Sequence, residues 1–164
     1  MTTEEGASIN ERMLAACRSD QKEELADILE EGNYDLAFTD SIGNTAAHIA
    51  AKTGSWECLE LLVNEDDIDL DLKNRLEGDT PLHHAVQYQD QDDEIALVMA
   101  EMLVEAGADP RIQNRHKLTP VMLVNPKNKK LKDLLSEAVV AHQMGDDDIV
   151  DEDDSSSGDD QPSD

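Results

Sequence analysis

The chain has 164 residues, of which 13 are Lys or Arg and 39 are Asp or Glu, so its formal net charge at pH 7 is −26. This length predicts one compact domain. The charge disfavours binding to DNA, RNA or an anionic membrane, because their phosphates would be repelled. Only 38% of the residues are hydrophobic and 2% aromatic, which predicts polar segments outside a folded core.

The cysteine pattern and the opening residues predict a reducing compartment. Cys17 and Cys58 are far apart and belong to no CxxC pair, so they form neither a disulfide framework nor a four-ligand zinc site. The opening MTTEEGAS has no apolar stretch, and the apolar run at 95–104 is interrupted by Glu101. We expect two reduced, buried thiols in a cytoplasmic and nuclear protein that does not cross a membrane.

The predicted elements of the middle of the chain repeat. The segment GNTAAHIAA at 43–51 matches GDTPLHHAV at 78–86, and a degraded copy, LTPVMLV, occupies 118–124. Apolar residues at helical spacing predict longer helices at 56–63 and 93–106, the second ending at Gly107. A threonine before each short helix can cap a backbone N–H. No such unit buries its apolar faces alone, so the units are expected to stack into a solenoid.

These segments resemble ankyrin repeats, whose hallmark is G-x-T-P-L-H-x-A-A, a second helix and G-A-D. The resemblance covers about 36–125 and implies an all-α ankyrin-repeat helical solenoid of about 3–4 repeats. It also implies a polar-faced N-terminal repeat at 8–18 and 21–31 and a closing helix at 131–140. The chain is further similar to small fungal ankyrin-repeat proteins with an acidic C-terminal tail.

The resulting division of the chain is a disordered N-terminus at 1–6, an ankyrin-repeat domain at 7–143 and a disordered acidic tail at 144–164. Residues 145–164 contain ten acids and no base, and such a segment cannot offset the entropy of ordering itself. The tail either aids solubility, competes for a basic surface on a partner, or folds back on the basic segment 111–132. Ser156 and Ser157 each precede an acid by three residues, which predicts phosphorylation by an acidophilic kinase.

No catalytic, metal-binding or cofactor-binding motif is found. His48 and His83 recur at the same repeat position, and the resemblance implies that each forms a structural hydrogen bond between neighbouring repeats. His84 is predicted to be half-exposed. Trp56 is predicted to pack in the core, and the lysines of 127–132 are predicted to be a solvated helix start rather than an import signal or anion site.

Ankyrin-repeat proteins, which this sequence resembles, bind other proteins through turn tips and through the exposed face of the short helices. Carried over to this sequence, the predicted protein-binding residues are Ile42, Asn44, Lys52, Arg75, Leu76, Glu77, Asp79, Gln87, Tyr88, Arg115 and His116. The apolar members either contact a partner or pack under neighbouring turns.

The composition and the resemblance together predict a non-catalytic protein-binding adaptor or escort, monomeric when free. Its client would be a basic protein, such as a ribosomal protein or a histone, held by an acidic concave repeat surface and the tail. The alternative is a regulatory or assembly factor that docks on an enzyme or multi-subunit complex through its concave repeat surface.

Overall fold

A computed structural model of the chain describes residues 8–153, with side chains described for residues 8–145. This part of the chain contains helices and no strands. In chain order the helices are α1 Ile9–Arg18, α2 Lys22–Glu31, α3 Ala46–Thr53, α4 Trp56–Val63, α5 Pro81–Gln87, a 3-10 helix Tyr88–Asp90, α6 Asp93–Glu105, a second 3-10 helix Pro120–Leu123, and α7 Lys129–Asp153.

The helix starts follow from local sequence. Thr45 and Thr80 each accept a hydrogen bond from the backbone N–H three residues on, and the histidine at that position bonds back to the threonine N–H. Each pair forms a capping box with histidine in the place usually taken by Glu or Gln. At the other end of α3, Gly54 has φ +73°, the left-handed conformation that stops a helix.

The helices form two packed rows. α1, α3, α5 and the second 3-10 helix make the first-helix row, and α2, α4, α6 and α7 make the second-helix row. Small alanines in α3, such as Ala47 and Ala50, are fully or almost fully buried and allow close packing within the first row. The second row contributes most of the large apolar core side chains, which include Leu25, Ile28, Leu59, Leu62, Met99, Leu103, Leu131 and Leu135. The predicted all-α solenoid is confirmed.

The first helix of the third repeat copy is shorter than the first helices of the two preceding copies. Met122 stands where the earlier copies have histidine, and Thr119 forms no side-chain cap bond. Without the reciprocal cap, residues 120–123 form a 3-10 helix instead of an α-helix.

The last helix extends beyond the predicted end of the repeat domain. α7 continues to Asp153, whereas the sequence predicted a disordered tail from residue 144. Its first half is anchored in the core by Leu131 and Leu135, and each further residue added to a nucleated helix gains a backbone hydrogen bond. The predicted disordered N-terminus at 1–6 and the phosphorylation sites Ser156 and Ser157 lie outside the described residues.

Candidate protein-binding surface

Three tight turns precede the first-row helices, and each one is closed by the Oδ1 atom of an Asp or Asn side chain. The Oδ1 atoms of Asp40, Asn74 and Asn114 accept two backbone N–H groups apiece within their own turns. We call residues 40–44, 74–79 and 114–118 together the turn row. Because each turn is fixed internally, its tip is held in one conformation.

Neighbouring turns are also bonded to each other. The backbone N–H of Arg75 donates to the Ile42 carbonyl at 3.0 Å, and that of Arg115 donates to the Glu77 carbonyl at 2.9 Å. The Arg75 guanidinium donates to the Ser41 carbonyl at 2.8 Å. The turn row is therefore a continuous edge of the solenoid, in which hydrogen bonds join each turn to the next.

Two predicted binding residues belong to the interior of this edge. Asn44 and Asp79 are each 2% exposed. The side-chain amide of Asn74 donates to Asn44 Oδ1 at 2.8 Å, and that of Asn114 donates to Asp79 Oδ1 at 3.0 Å. The prediction that Asn44 and Asp79 are exposed turn tips is wrong, because both are acceptors for the next repeat.

The repeated histidines bond between repeats, as the sequence predicted. His48 accepts the Thr45 backbone N–H at Nδ1, so its proton is on Nε2, which lies 2.8 Å from the Asp79 carbonyl oxygen. His83 makes the equivalent contact to Leu118 at 2.8 Å. Burial lowers the pKa of His48 to about 4, and burial also lowers the pKa of His83. Both rings are neutral structural groups at pH 7.

His84 is buried, not half-exposed as predicted. Its Nδ1 donates to the His48 carbonyl at 3.2 Å, and its Nε2 lies 3.5 Å from Asp79 Oδ2. Burial alone would raise the pKa of Asp79, but hydrogen bonds from His84 and Asn114 outweigh it and lower that pKa. The sequence prediction failed because both neighbouring repeats cover α5: His83 bonds to Leu118 of the following repeat, and His84 bonds to His48 of the preceding one.

The two residues that follow α5 make contacts within the protein. Tyr88 is half-buried, and its ring lies so close to Gly54 that a Cβ at Gly54 would overlap it. The next residue, Gln89, donates to the Leu123 carbonyl at 2.8 Å and accepts from Asn125 N–H at 2.9 Å. Tyr88 and Gln89 thus connect three repeats, and Tyr88 packs against its own protein.

The turn geometry, the capping histidines and the two helical rows recur with the repeat, and a family model for ankyrin repeats, with three copies, matches residues 13–114. The chain belongs to the ankyrin-repeat family. An ankyrin repeat-containing protein of Saccharomyces cerevisiae is 38% identical over 147 residues, covering 84% of this chain and 81% of the yeast protein. The predicted similarity to fungal ankyrin-repeat proteins is confirmed.

Two animal proteins match a smaller part. Human ankyrin repeat domain-containing protein 53 is 36% identical over 85 residues, covering 52% of this chain and 16% of the human protein. The Xenopus laevis inhibitor of Bruton tyrosine kinase is 32% identical over 89 residues, covering 54% of this chain and 6% of the frog protein. Ankyrin repeats mediate protein–protein interactions and are typically non-catalytic, so this chain carries a protein-interaction domain.

The remaining predicted residues of the ankyrin surface are accessible. Leu76 is 57% exposed at the tip of the second turn, between Arg75 and Glu77, which are also exposed. Ile42 is half-buried. The other exposed members of the predicted set are Lys52, Gln87, Arg115 and His116.

Trp56 does not pack in the core as predicted but is 37% exposed at the start of α4. Both cysteines are buried and free, as expected. Within residues 8–145 no group of three or more His, Cys, Asp or Glu side chains is arranged to hold a metal ion. No helix in the described ranges has the length and apolar content needed to cross a membrane.

A groove that the sequence did not predict lies at the N-terminal end of the turn row. Its volume is about 590 Å³, and the side chains around it include Glu11, Leu14, Arg18, Phe38, Asp40 and Arg75. Half of these side chains come from α1, which the sequence marked only as part of a polar-faced cap. The signal was the exposed Arg18 at the C-terminal end of a helix that otherwise buries its apolar residues.

Charge divides between the two rows of the ankyrin solenoid. We call residues 22–31, 56–71 and 88–105, which contain α2, α4, α6 and the segments beside them, the acidic belt; it holds 18 acids and one base. The first-helix row and the turn row, residues 9–18, 40–53, 74–87 and 114–123, hold four acids and six bases. The prediction of an acidic repeat surface therefore applies to the belt and not to the turn row.

Proposed function

We propose that this ankyrin-repeat protein is a non-catalytic escort of a basic protein in the cytoplasm and nucleus, with a ribosomal protein or a histone as the type of client. The observation that carries the proposal is the acidic belt, together with the ten acids of 145–164. A cationic client would be attracted from a distance and shielded from other polyanions while bound.

Most of the belt is electrostatically unpaired. Among the described residues, Glu24 and Glu31 are the belt carboxylates within 4 Å of a cationic side chain, and both contact Arg12. Within residues 8–145, no such cation lies beside the remaining belt carboxylates, and many of them, such as Asp27, Glu60 and Glu101, are exposed. Their mutual repulsion destabilises the free protein and would be relieved by a basic partner.

The experiment is a titration of full-length protein with a histone, measured by calorimetry at two salt concentrations. One variant neutralises four belt carboxylates (Asp27→Asn, Glu60→Gln, Glu101→Gln and Glu105→Gln). A second variant neutralises four tail carboxylates (Asp153→Asn, Asp154→Asn, Asp159→Asn and Asp160→Asn). Both change the net charge equally. The proposal predicts weaker binding in at least one variant and at the higher salt; undiminished binding in both variants contradicts it.

A second candidate is a regulatory or assembly factor that docks on an enzyme or complex through the turn row and first-helix row. Exposed Leu76 on a rigid tip favours it, because an accessible apolar side chain on a preorganised surface is a typical interface anchor. Binding of this kind would tolerate moderate salt and neutralisation of the tail. A Leu76→Ser variant would weaken it, whereas a belt variant would not.

A further inference from the structure

We infer that the turn row binds an acidic segment of a partner protein. The site comprises five exposed residues of the second and third turns, namely Arg75, Leu76, Arg115, His116 and Lys117; Glu77, also exposed on the second turn, is the one acid among these tips. This surface is separate from the acidic belt, so the inference goes beyond the escort function and does not depend on it. A chain with both surfaces would bridge a basic client and an acidic partner.

The cations of the third turn have no counter-ion among the described side chains of residues 8–145. Within the described part of the chain, no carboxylate lies within 4 Å of the Arg115 guanidinium or the Lys117 ammonium, whereas Arg12 and Arg111 are both ion-paired. The third turn is nevertheless fixed, because Asn114 Oδ1 accepts the N–H groups of His116 and Leu118. Unpaired cations on a rigid tip are complementary to carboxylates of a partner.

Leu76 gives this surface an apolar contact point next to its charges. It projects from the second turn with 57% of its surface exposed, beside Arg75. Arg115 follows on the adjacent turn, where its backbone N–H bonds to the Glu77 carbonyl and its Cγ packs near Gly78. A matching segment therefore carries acids together with an apolar side chain.

The net charge of the whole chain does not cancel this local attraction. Packed helix rows lie about 8–10 Å apart, and the screening length at physiological salt is about 8 Å. A ligand at the turn tips is therefore largely screened from the belt. At very low salt the belt carboxylates would repel the acidic ligand and weaken its binding, so the test is performed at about 0.15 M salt.

The test measures binding of a short fluorescein-labelled peptide, rich in glutamate and carrying one leucine, to the full chain by fluorescence anisotropy. The variant Arg115→Glu/Lys117→Glu reverses the charge of the third turn from positive to negative. Its matched control is Lys129→Glu/Lys130→Glu, which makes the same change in net charge at the exposed start of α7. We expect about tenfold weaker binding in the turn variant and less than about twofold change in the control. Leu76→Ser should also weaken binding.

Equal losses in the turn variant and in the control would show attraction by net charge alone and would overturn the inference. So would absence of binding to the wild-type chain, or binding that appears only after the tail carboxylates are neutralised, since the row would then hold the chain's own tail. A histone titration of the same samples separates the two proposals. Normal histone binding without peptide binding would support the escort function and would contradict only the turn-row inference.

Discussion

The Nε2 atom of His48 lies 2.8 Å from the backbone carbonyl oxygen of Asp79 in the next repeat. The same ring accepts the Thr45 N–H at the start of its own helix. One side chain thus caps α3 and joins two repeats. Since repeat proteins are stabilised mainly by contacts between neighbouring units, this bond contributes to the cooperativity of the whole solenoid.

Replacing His48 with Ala should lower the free energy of unfolding by about 2–4 kcal/mol, because two buried backbone groups lose their partner. Chemical denaturation with urea, followed by circular dichroism, measures the change. His116→Ala is the control, since this exposed turn residue should change stability by less than about 0.5 kcal/mol. Equal effects of the two substitutions would contradict the structural role of His48.

The His48 contribution should disappear in acid. The pKa of His48 is about 4 in the folded chain, below its usual 6.5, so the unfolded chain binds the extra proton between these values. The stabilisation is fully present above about pH 6.5 and is lost as the pH falls towards 4. The stability difference between wild type and His48→Ala should therefore shrink by about 2–3 kcal/mol between pH 7 and pH 4.5.

Comparing the two proteins at each pH is necessary, because acid also relieves repulsion within the belt and changes both curves. Urea unfolding at a series of pH values provides the comparison. A stability difference that stays constant or grows as the pH falls would mean that His48 is not held neutral by burial.

Gly54 and Tyr88 should be energetically coupled. Gly54→Ala places a methyl group against the Tyr88 ring at a position with φ +73°, so both steric overlap and backbone strain oppose it. Tyr88→Ala removes the overlap but leaves the strain. In a double-mutant cycle, the two substitutions together should cost at least about 0.5 kcal/mol less than the sum of the separate losses. Additive losses would show that the ring does not occupy this space.

Met122→His should stabilise the third repeat. Thr119 and Pro120 already provide the start of the motif, and a histidine at 122 would restore the missing reciprocal cap. The side chain at 122 is exposed, so the substitution removes no buried packing. We expect a gain of about 0.5–1 kcal/mol in unfolding free energy. A loss of stability would contradict the capping explanation for the 3-10 helix.

Much of the fold followed from the sequence because the repeat specifies it locally. Thr45 and Thr80, each with a histidine three residues on, mark helix starts that the structure confirms. The surface was harder to predict, because the side-chain direction of a turn residue depends on the next repeat. Asn44 and Asp79 are buried by the amides of Asn74 and Asn114, which are 30 and 35 residues further along the chain.

The distribution of charge was likewise not visible in the totals. Residues 1–109 carry 27 acids, which a linear count presents as one acidic body. Most of them lie in the second-helix row and its adjoining segments, whereas Arg75 and Arg115 lie at turn tips. Only the layered packing of the solenoid separates the two groups.

Binding of a basic client by the acidic belt and tail is the main function proposed for this chain. Its most direct test is affinity purification of the full-length chain from its source cells, followed by carbodiimide cross-linking and mass spectrometry. This reagent joins lysines to nearby carboxylates. The account predicts that the main partner is a basic protein whose lysines are linked to belt or tail carboxylates. A main partner linked solely through Lys117, with no belt or tail carboxylate joined to it, would contradict the account.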